Sequence, residues 1–123
     1  MRILMVDDTK SVHAFVAMLF SESGHELTHL YSGNEALTYL ANEGKNVYDL
    51  ILMDWEMPGL SGVETIKELR SMKVEIPILM ITTRKGDGDM ETAFKNGASA
   101  YLLKPFTKEA LLQKIFEITM KAA

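Results

Sequence analysis

Five stretches of the chain are apolar or nearly so, and helical periodicity fills the gaps between them. Arg2-Ile3-Leu4-Met5-Val6, Asp49-Leu50-Ile51-Leu52-Met53, Ile78-Leu79-Met80-Ile81 and Tyr101-Leu102-Leu103 are short runs rich in Ile, Leu and Val. Strands buried on both faces of a parallel sheet read this way. Leu27-Thr28-His29-Leu30 is weaker and interrupted by polar residues, as suits an edge strand.

The intervening segments predict five helices. In the first, from about Lys10 to Glu22, Val12, Phe15, Val16, Leu19 and Phe20 recur with the spacing of one core-facing stripe, and Gly24 supplies the stop. Ser32 and Glu35 have the spacing of a capping box ahead of Ala36, Leu37 and Leu40, and Ser61 and Glu64 repeat it ahead of Val63, Ile66 and Leu69. Pro77 falls at the start of the fourth strand, where a missing N–H is tolerated. A short helix after Gly88 carries Met90, Ala93 and Phe94 and stops at Gly97. Thr107 caps the last helix, with Leu111, Leu112, Ile115 and Ile118 as its stripe.

Strict alternation of five strands with five helices implies an α/β fold: a doubly wound parallel sheet with right-handed crossovers. The most polar strand, the second, belongs at an edge, which selects the order 2-1-3-4-5 of flavodoxin-like folds. No linker, repeat or low-complexity segment divides the 123 residues, so one domain spanning 1–123 with no output domain is expected.

Composition removes several functions. The chain is 47% hydrophobic and 24% charged, with a net charge of -4, which argues against broad attraction to nucleic acid. With no cysteine there are no disulfides or thiolate metal sites, a usage that fits a cytoplasmic protein. No apolar stretch approaches the roughly 18 residues of a membrane span, and Met-Arg followed by four apolar residues and two aspartates does not make a signal peptide. A monomer without membrane insertion is expected.

The strand ends carry the chemistry. The first run stops at Asp7-Asp8, the third strand at Asp54, the fourth at Thr82-Thr83 and the fifth at Lys104-Pro105. Ligands of open α/β sheets bind at the carboxyl ends of the strands, so three carboxylates, a hydroxyl and an amine gather on one edge. Two like charges about 4 Å apart repel by about 4 kcal/mol at an effective dielectric near 20, so clustered aspartates call for a cation. A carboxylate that accepts a phosphoryl group forms an aspartyl phosphate, and the loose transition state is helped mainly by positioning and charge neutralisation. The chemistry implied is a phosphoryl group with a divalent metal.

Val6-Asp7-Asp8, Asp54-x-x-Met57-Pro58-Gly59, Thr82 and Lys104-Pro105-Phe106 together resemble the response-regulator receiver domain of two-component signalling, over the whole chain. Asp54-Trp55-x-Met57-Pro58-Gly59 and Tyr101 three residues before Lys104 bring it nearest to single-domain chemotaxis regulators of the CheY type. The resemblance implies Asp54 as phospho-acceptor and Mg²⁺ held by Asp8 directly, Asp7 largely through water, Asp54, and the backbone carbonyl of Glu56. It implies Lys104 as the phosphoryl-pairing charge, Thr82 as a switch that turns inward and Tyr101 as its follower, with Lys104-Pro105 in cis. The donor would be a histidine kinase or a histidine-phosphotransfer protein. The target would be a protein, such as a flagellar motor or another relay component, met by the fourth helix, fifth strand and fifth helix. Such a protein is a self-modifying switch rather than a turnover enzyme.

Several positions have two readings. Thr83 competes with Thr82, but Thr82 directly follows the apolar run. Tyr101 reads as strand packing or as a switch residue. Glu56 and Arg84, each two residues past a site position, are expected to pair across the rim and tune phosphate lifetime; two solvated charges are the alternative. Thr83 stands where relatives carry Ala or Gly and is expected to narrow the donor's approach. His13, His25 and His29 read as surface or rim residues, and Gly86-Asp87-Gly88-Asp89 as a flexible approach to the fourth helix. The methionines read as core filler, with Met57 and Met90 as the exceptions to watch. Among other functions, a Mg²⁺-dependent phosphohydrolase of the haloacid dehalogenase type would need an Asp-x-Asp signature that is missing. A flavin module would need a phosphate loop after the first strand, and a phosphorylation-independent pseudo-receiver would not need the full acceptor, metal and lysine set.

Overall fold

The computed structural model describes residues 1–120. In chain order the elements are β1 (Arg2–Val6), α1 (Lys10–Leu19), β2 (Glu26–Leu30), α2 (Gly33–Glu43), β3 (Leu50–Asp54), α3 (Gly62–Ser71), β4 (Ile78–Thr82), α4 (Asp89–Lys95), β5 (Ala100–Leu103) and α5 (Lys108–Thr119). All strand pairs are parallel, in the order β2-β1-β3-β4-β5. β3 and β4 are buried throughout, whereas β2 is only half-buried at its edge, as its polar interruptions predict.

Alternate side chains point to opposite faces of a strand, so the sheet carries two cores. Leu4, Val6, Ile51, Met53, Ile78 and Met80 face α2 and α3 through Ala36, Leu40, Ile66 and Leu69. Ile3, Met5, Leu50, Leu52, Leu79 and Ile81 face α1 and α5 through Val16, Phe20, Leu111 and Ile115. Burial of this apolar surface on both faces is the main term holding the layers together.

Local details depart from the sequence expectations in ways that packing explains. α1 ends at Leu19 with Phe20 as its C-cap, short of Glu22, and residues 21–24 form a turn. Phe15 lies at the margin of the core rather than in it, tilted against Phe106 with ring centroids 5.6 Å apart. Leu112 is exposed, because it follows Leu111 by one position and so turns off the Leu111–Ile115 stripe. The Ser61–Glu64 capping box closes in both directions. At α2 only half of one forms: Ser32 accepts from the Glu35 N–H, but the Glu35 carboxylate accepts from the Tyr31 N–H instead. Pro77 precedes β4 rather than opening it. Met57 is buried and belongs with the core methionines, whereas Met90 is half-exposed on α4.

One close approach decides how α3 meets the strand that carries Asp54. The Gly62 N–H donates to the Trp55 carbonyl at 2.8 Å, and a Cβ at this position would stand 2.0 Å from the Asp54 carbonyl oxygen and 2.8 Å from the Trp55 Cα. Alanine in a helix ordinarily stabilises by about 1 kcal/mol relative to glycine. Gly62→Ala is expected to do the opposite and lower unfolding free energy by about 1–3 kcal/mol, the cost of overpacking. Urea denaturation measures the sign; a stabilised variant would show that α3 can move away from Asp54 freely.

Candidate functional site

Because the strands are parallel, their C-terminal ends open onto one edge, and the polar residues that end them meet there. Asp7 and Asp8 follow β1, Asp54 is the last residue of β3, Thr82 is the last of β4, and Lys104 follows β5. Asp7 and Asp54 are buried while Asp8 is exposed, and one carboxylate oxygen from each of the three lies within 4.8 Å of the others. The Lys104 ammonium reaches between them, 3.2 Å from Asp7 Oδ2 and 3.2 Å from Asp54 Oδ1. The Thr9 N–H donates to Asp7 Oδ1 at 2.8 Å, so both oxygens of that carboxylate are held. The Lys104 N–H donates to the Thr82 carbonyl at 2.8 Å, and the Lys104-Pro105 peptide is cis.

The electrostatics follow from this crowding. Burial, then the neighbouring Asp7, pushes the Asp54 carboxyl up to about 6, against the opposing pull of Lys104. Burial alone would pull Lys104 down, but Asp54 and Asp7 outweigh it and hold its ammonium above the ordinary lysine value. One ammonium among three carboxylates leaves the pocket with an excess of negative charge. An all-oxygen donor set, partly buried and partly open to water through Asp8, suits a small hard dication that keeps some of its waters. Asp7, Asp8 and Asp54 could hold one.

Beside the pocket, the rim is more connected than residue spacing shows. The Arg84 guanidinium lies 2.7 Å from Glu56 Oε1 and 3.2 Å from Asp89 Oδ1, and its carbon stands 4.3 Å from the Trp55 ring centroid. The expected Glu56–Arg84 pair therefore forms, and Asp89 and Trp55 complete it. Thr82 is fully buried, and its Oγ1 accepts from the Arg84 N–H at 3.1 Å. Tyr101 is buried, donates from its hydroxyl to the Arg84 carbonyl at 2.6 Å, and meets Trp55 edge-on at 6.3 Å. The backbone of Arg84 is thus held on both sides, by Thr82 and by Tyr101. Thr83 is exposed at the rim.

His13 corrects the surface reading. It is 3% exposed, packed behind the Asp7-Asp8 turn with its Nε2 2.7 Å from the Asp7 carbonyl oxygen and its Nδ1 2.7 Å from Nδ1 of His29. The signal lay in the periodicity: His13, Val16 and Phe20 share one helical stripe. His25, by contrast, is only partly buried and sits at the opposite edge of the sheet, its Nδ1 2.8 Å from the Met1 amine.

The family model of the response regulator receiver domain matches residues 3–116. The chemotaxis protein CheY1 of Helicobacter pylori is 36% identical over 119 residues, covering 94% of each chain. A chemotaxis protein CheY homolog of Campylobacter jejuni is 33% identical over 122 residues, covering 96% of this chain and 92% of that one. The receiver domain of the Francisella response regulator 1452 superposes with a TM-score of 0.87 at 30% identity, covering 99% of this chain and 98% of that one. The chain belongs to the response regulator receiver domain family. It is a receiver domain of the type found in CheY response regulators of two-component signalling.

The raised Asp54 carboxyl makes stability depend on pH. With a folded value of about 6 against the ordinary 3.8, the folded chain holds an extra proton between the two, so stability is full below about pH 4 and declines as pH rises through 6. In metal-free buffer, Asp54→Asn is expected to gain about 2–3 kcal/mol over wild type above pH 7, with the gain shrinking towards zero near pH 4. Urea unfolding across that range measures it; a gain independent of pH would mean that Asp54 is ionised without penalty.

Proposed function

We propose that the chain is a phospho-accepting switch in which Asp54 takes a phosphoryl group from a histidine kinase or a histidine-phosphotransfer protein. The observation that carries this reading is the Lys104 ammonium held 3.2 Å from one oxygen of Asp54 and 3.2 Å from Asp7, inside an otherwise acidic pocket. Lys104 binds Asp54 through Oδ1, which leaves the other oxygen for attack on phosphorus. The new P–O bond forms as the P–N bond to the donor imidazole breaks, and the imidazole keeps its electron pair and takes a proton from water. Asp7, Asp8, Asp54 and the backbone carbonyl of Glu56 would hold Mg²⁺. When bound, the ion supplies positive charge beside the transferred oxygens.

Lys104 balances part of the added charge as a compact ammonium. Thr82, whose hydroxyl now accepts from Arg84 N–H, has a proton to donate to the phosphoryl group. Through the Arg84 backbone that change reaches Tyr101, and from there the face formed by α4, β5 and α5, where a downstream protein target binds. A shift of this kind biases a two-state surface rather than turning over a substrate. No helix among the described residues is long and apolar enough to cross a membrane. The Glu56–Arg84–Asp89 group, with Thr83 beside it, sets how easily water and donor reach Asp54.

Two outcomes test this. With Mg²⁺ and a small acyl phosphate, intact mass is expected to show one added phosphoryl group on wild type and none on Asp54→Asn; an unchanged wild type, or a labelled variant, overturns the reading. Reversing the charge of Glu56 or of Arg84 alone is expected to change the dephosphorylation rate several-fold, and reversing both to restore part of it, which a double-mutant cycle on single-turnover rates measures.

A further inference from the structure

β1 ends at Val6, and the turn that bears Asp7 and Asp8 has to hold its shape while two carboxylates in it repel Asp54. The front of the turn is tied by Thr9 N–H and Lys104, both bound to the Asp7 carboxylate. The Asp7 N–H continues the ladder to β2, donating to the Leu30 carbonyl at 3.2 Å. The Asp7 carbonyl needs a donor of another kind, and α1 supplies it one turn in. A carbonyl oxygen only accepts, so the His13 Nε2 that stands 2.7 Å from it carries the proton. In the neutral ring Nδ1 is then an acceptor, and His29 Nδ1–H, 2.7 Å away on β2, is its donor. The Tyr31 ring, 4.4 Å from that of His13, and His29, 4.8 Å from it, flank the imidazole. Burial, then His13, holds the His29 pKa below the ordinary histidine value.

We infer that His13 is a positioning residue for the acidic pocket: its Nε2–H, oriented by His29, fixes the Asp7 carbonyl and so holds the Asp7 and Asp8 carboxylates in place for a cation. Thr9, the N-cap of α1, makes no side-chain cap, and the His13 side chain ties this helix back to the turn. The inference rests on the reading of the pocket as a Mg²⁺ site. Its two readouts separate the claims.

The first readout needs no metal. Gln at position 13 places an amide N–H where Nε2 stands, whereas Leu fills the space without a donor. In EDTA, amide exchange of Thr9 is expected to quicken about tenfold in His13→Leu and to stay near wild type in His13→Gln, with the amides of β4 unchanged. Equal Thr9 exchange in wild type and His13→Leu overturns the inference. Should His13→Leu not fold, the imidazole ¹⁵N spectrum of wild type decides: a protonated, slowly exchanging Nε2 supports the assignment, and an unprotonated Nε2 overturns it. The second readout is Mg²⁺ affinity from Trp55 fluorescence, expected to fall about tenfold in His13→Leu and to recover in His13→Gln. Wild type that takes up no Mg²⁺ overturns the metal reading, while Thr9 exchange still decides the role of His13.

Discussion

The structure turns on one ammonium shared by two buried carboxylates. Asp7 and Asp54 end neighbouring parallel strands, so the topology that packs the sheet also brings them together. Two such charges repel by several kcal/mol in a partly buried site, and Lys104 offsets part of that without removing it. The residue is visible in Asp54, whose carboxyl remains pushed up to about 6. The sheet thus builds a pocket that is uncomfortable by itself and improves when further positive charge arrives, which is how a fold can be prepared for a cation and a phosphoryl group together.

From the pocket, the physical path outward is short. The Thr82 hydroxyl holds the Arg84 N–H, and the Tyr101 hydroxyl holds the Arg84 carbonyl. A single peptide segment therefore senses both residues. Its side chain is engaged as well, spread between Glu56 and Asp89 and laid over Trp55. Were Thr82 to exchange Arg84 N–H for another partner, the loop between β4 and α4 would lose one of the two bonds that hold the Arg84 backbone.

The fold was legible because unbroken apolar runs and one polar-interrupted strand leave few topologies for an alternating chain. The pocket was legible because strand ends are where such sheets bind ligands, and Asp7, Asp8, Asp54, Thr82 and Lys104 each follow or end a run. What escaped depends on facts that spacing does not carry. His13 has a polar identity that outweighed its place on the Val16–Phe20 stripe, and its partners come from a neighbouring strand and turn. Leu112 and Phe15 are apolar by type but turned off the core by one helical step. Glu35 has the right distance from Ser32, yet its carboxylate reaches Tyr31 N–H. Around Arg84, the pair with Glu56 followed from position, whereas Asp89 and Trp55 joined it because of the path of one loop.

The pocket also has an order of assembly written into the chain. Lys104 lies 97 residues from Asp7 and 50 from Asp54, so the acidic partners leave the ribosome well before their counterion does. Until β5 docks beside β4, a nascent chain carries its carboxylates without Lys104 between them. Non-local pairing of this kind slows folding relative to helical bundles. A chain cut before β5 can display the acidic residues, but it has no ammonium with which to complete the pocket.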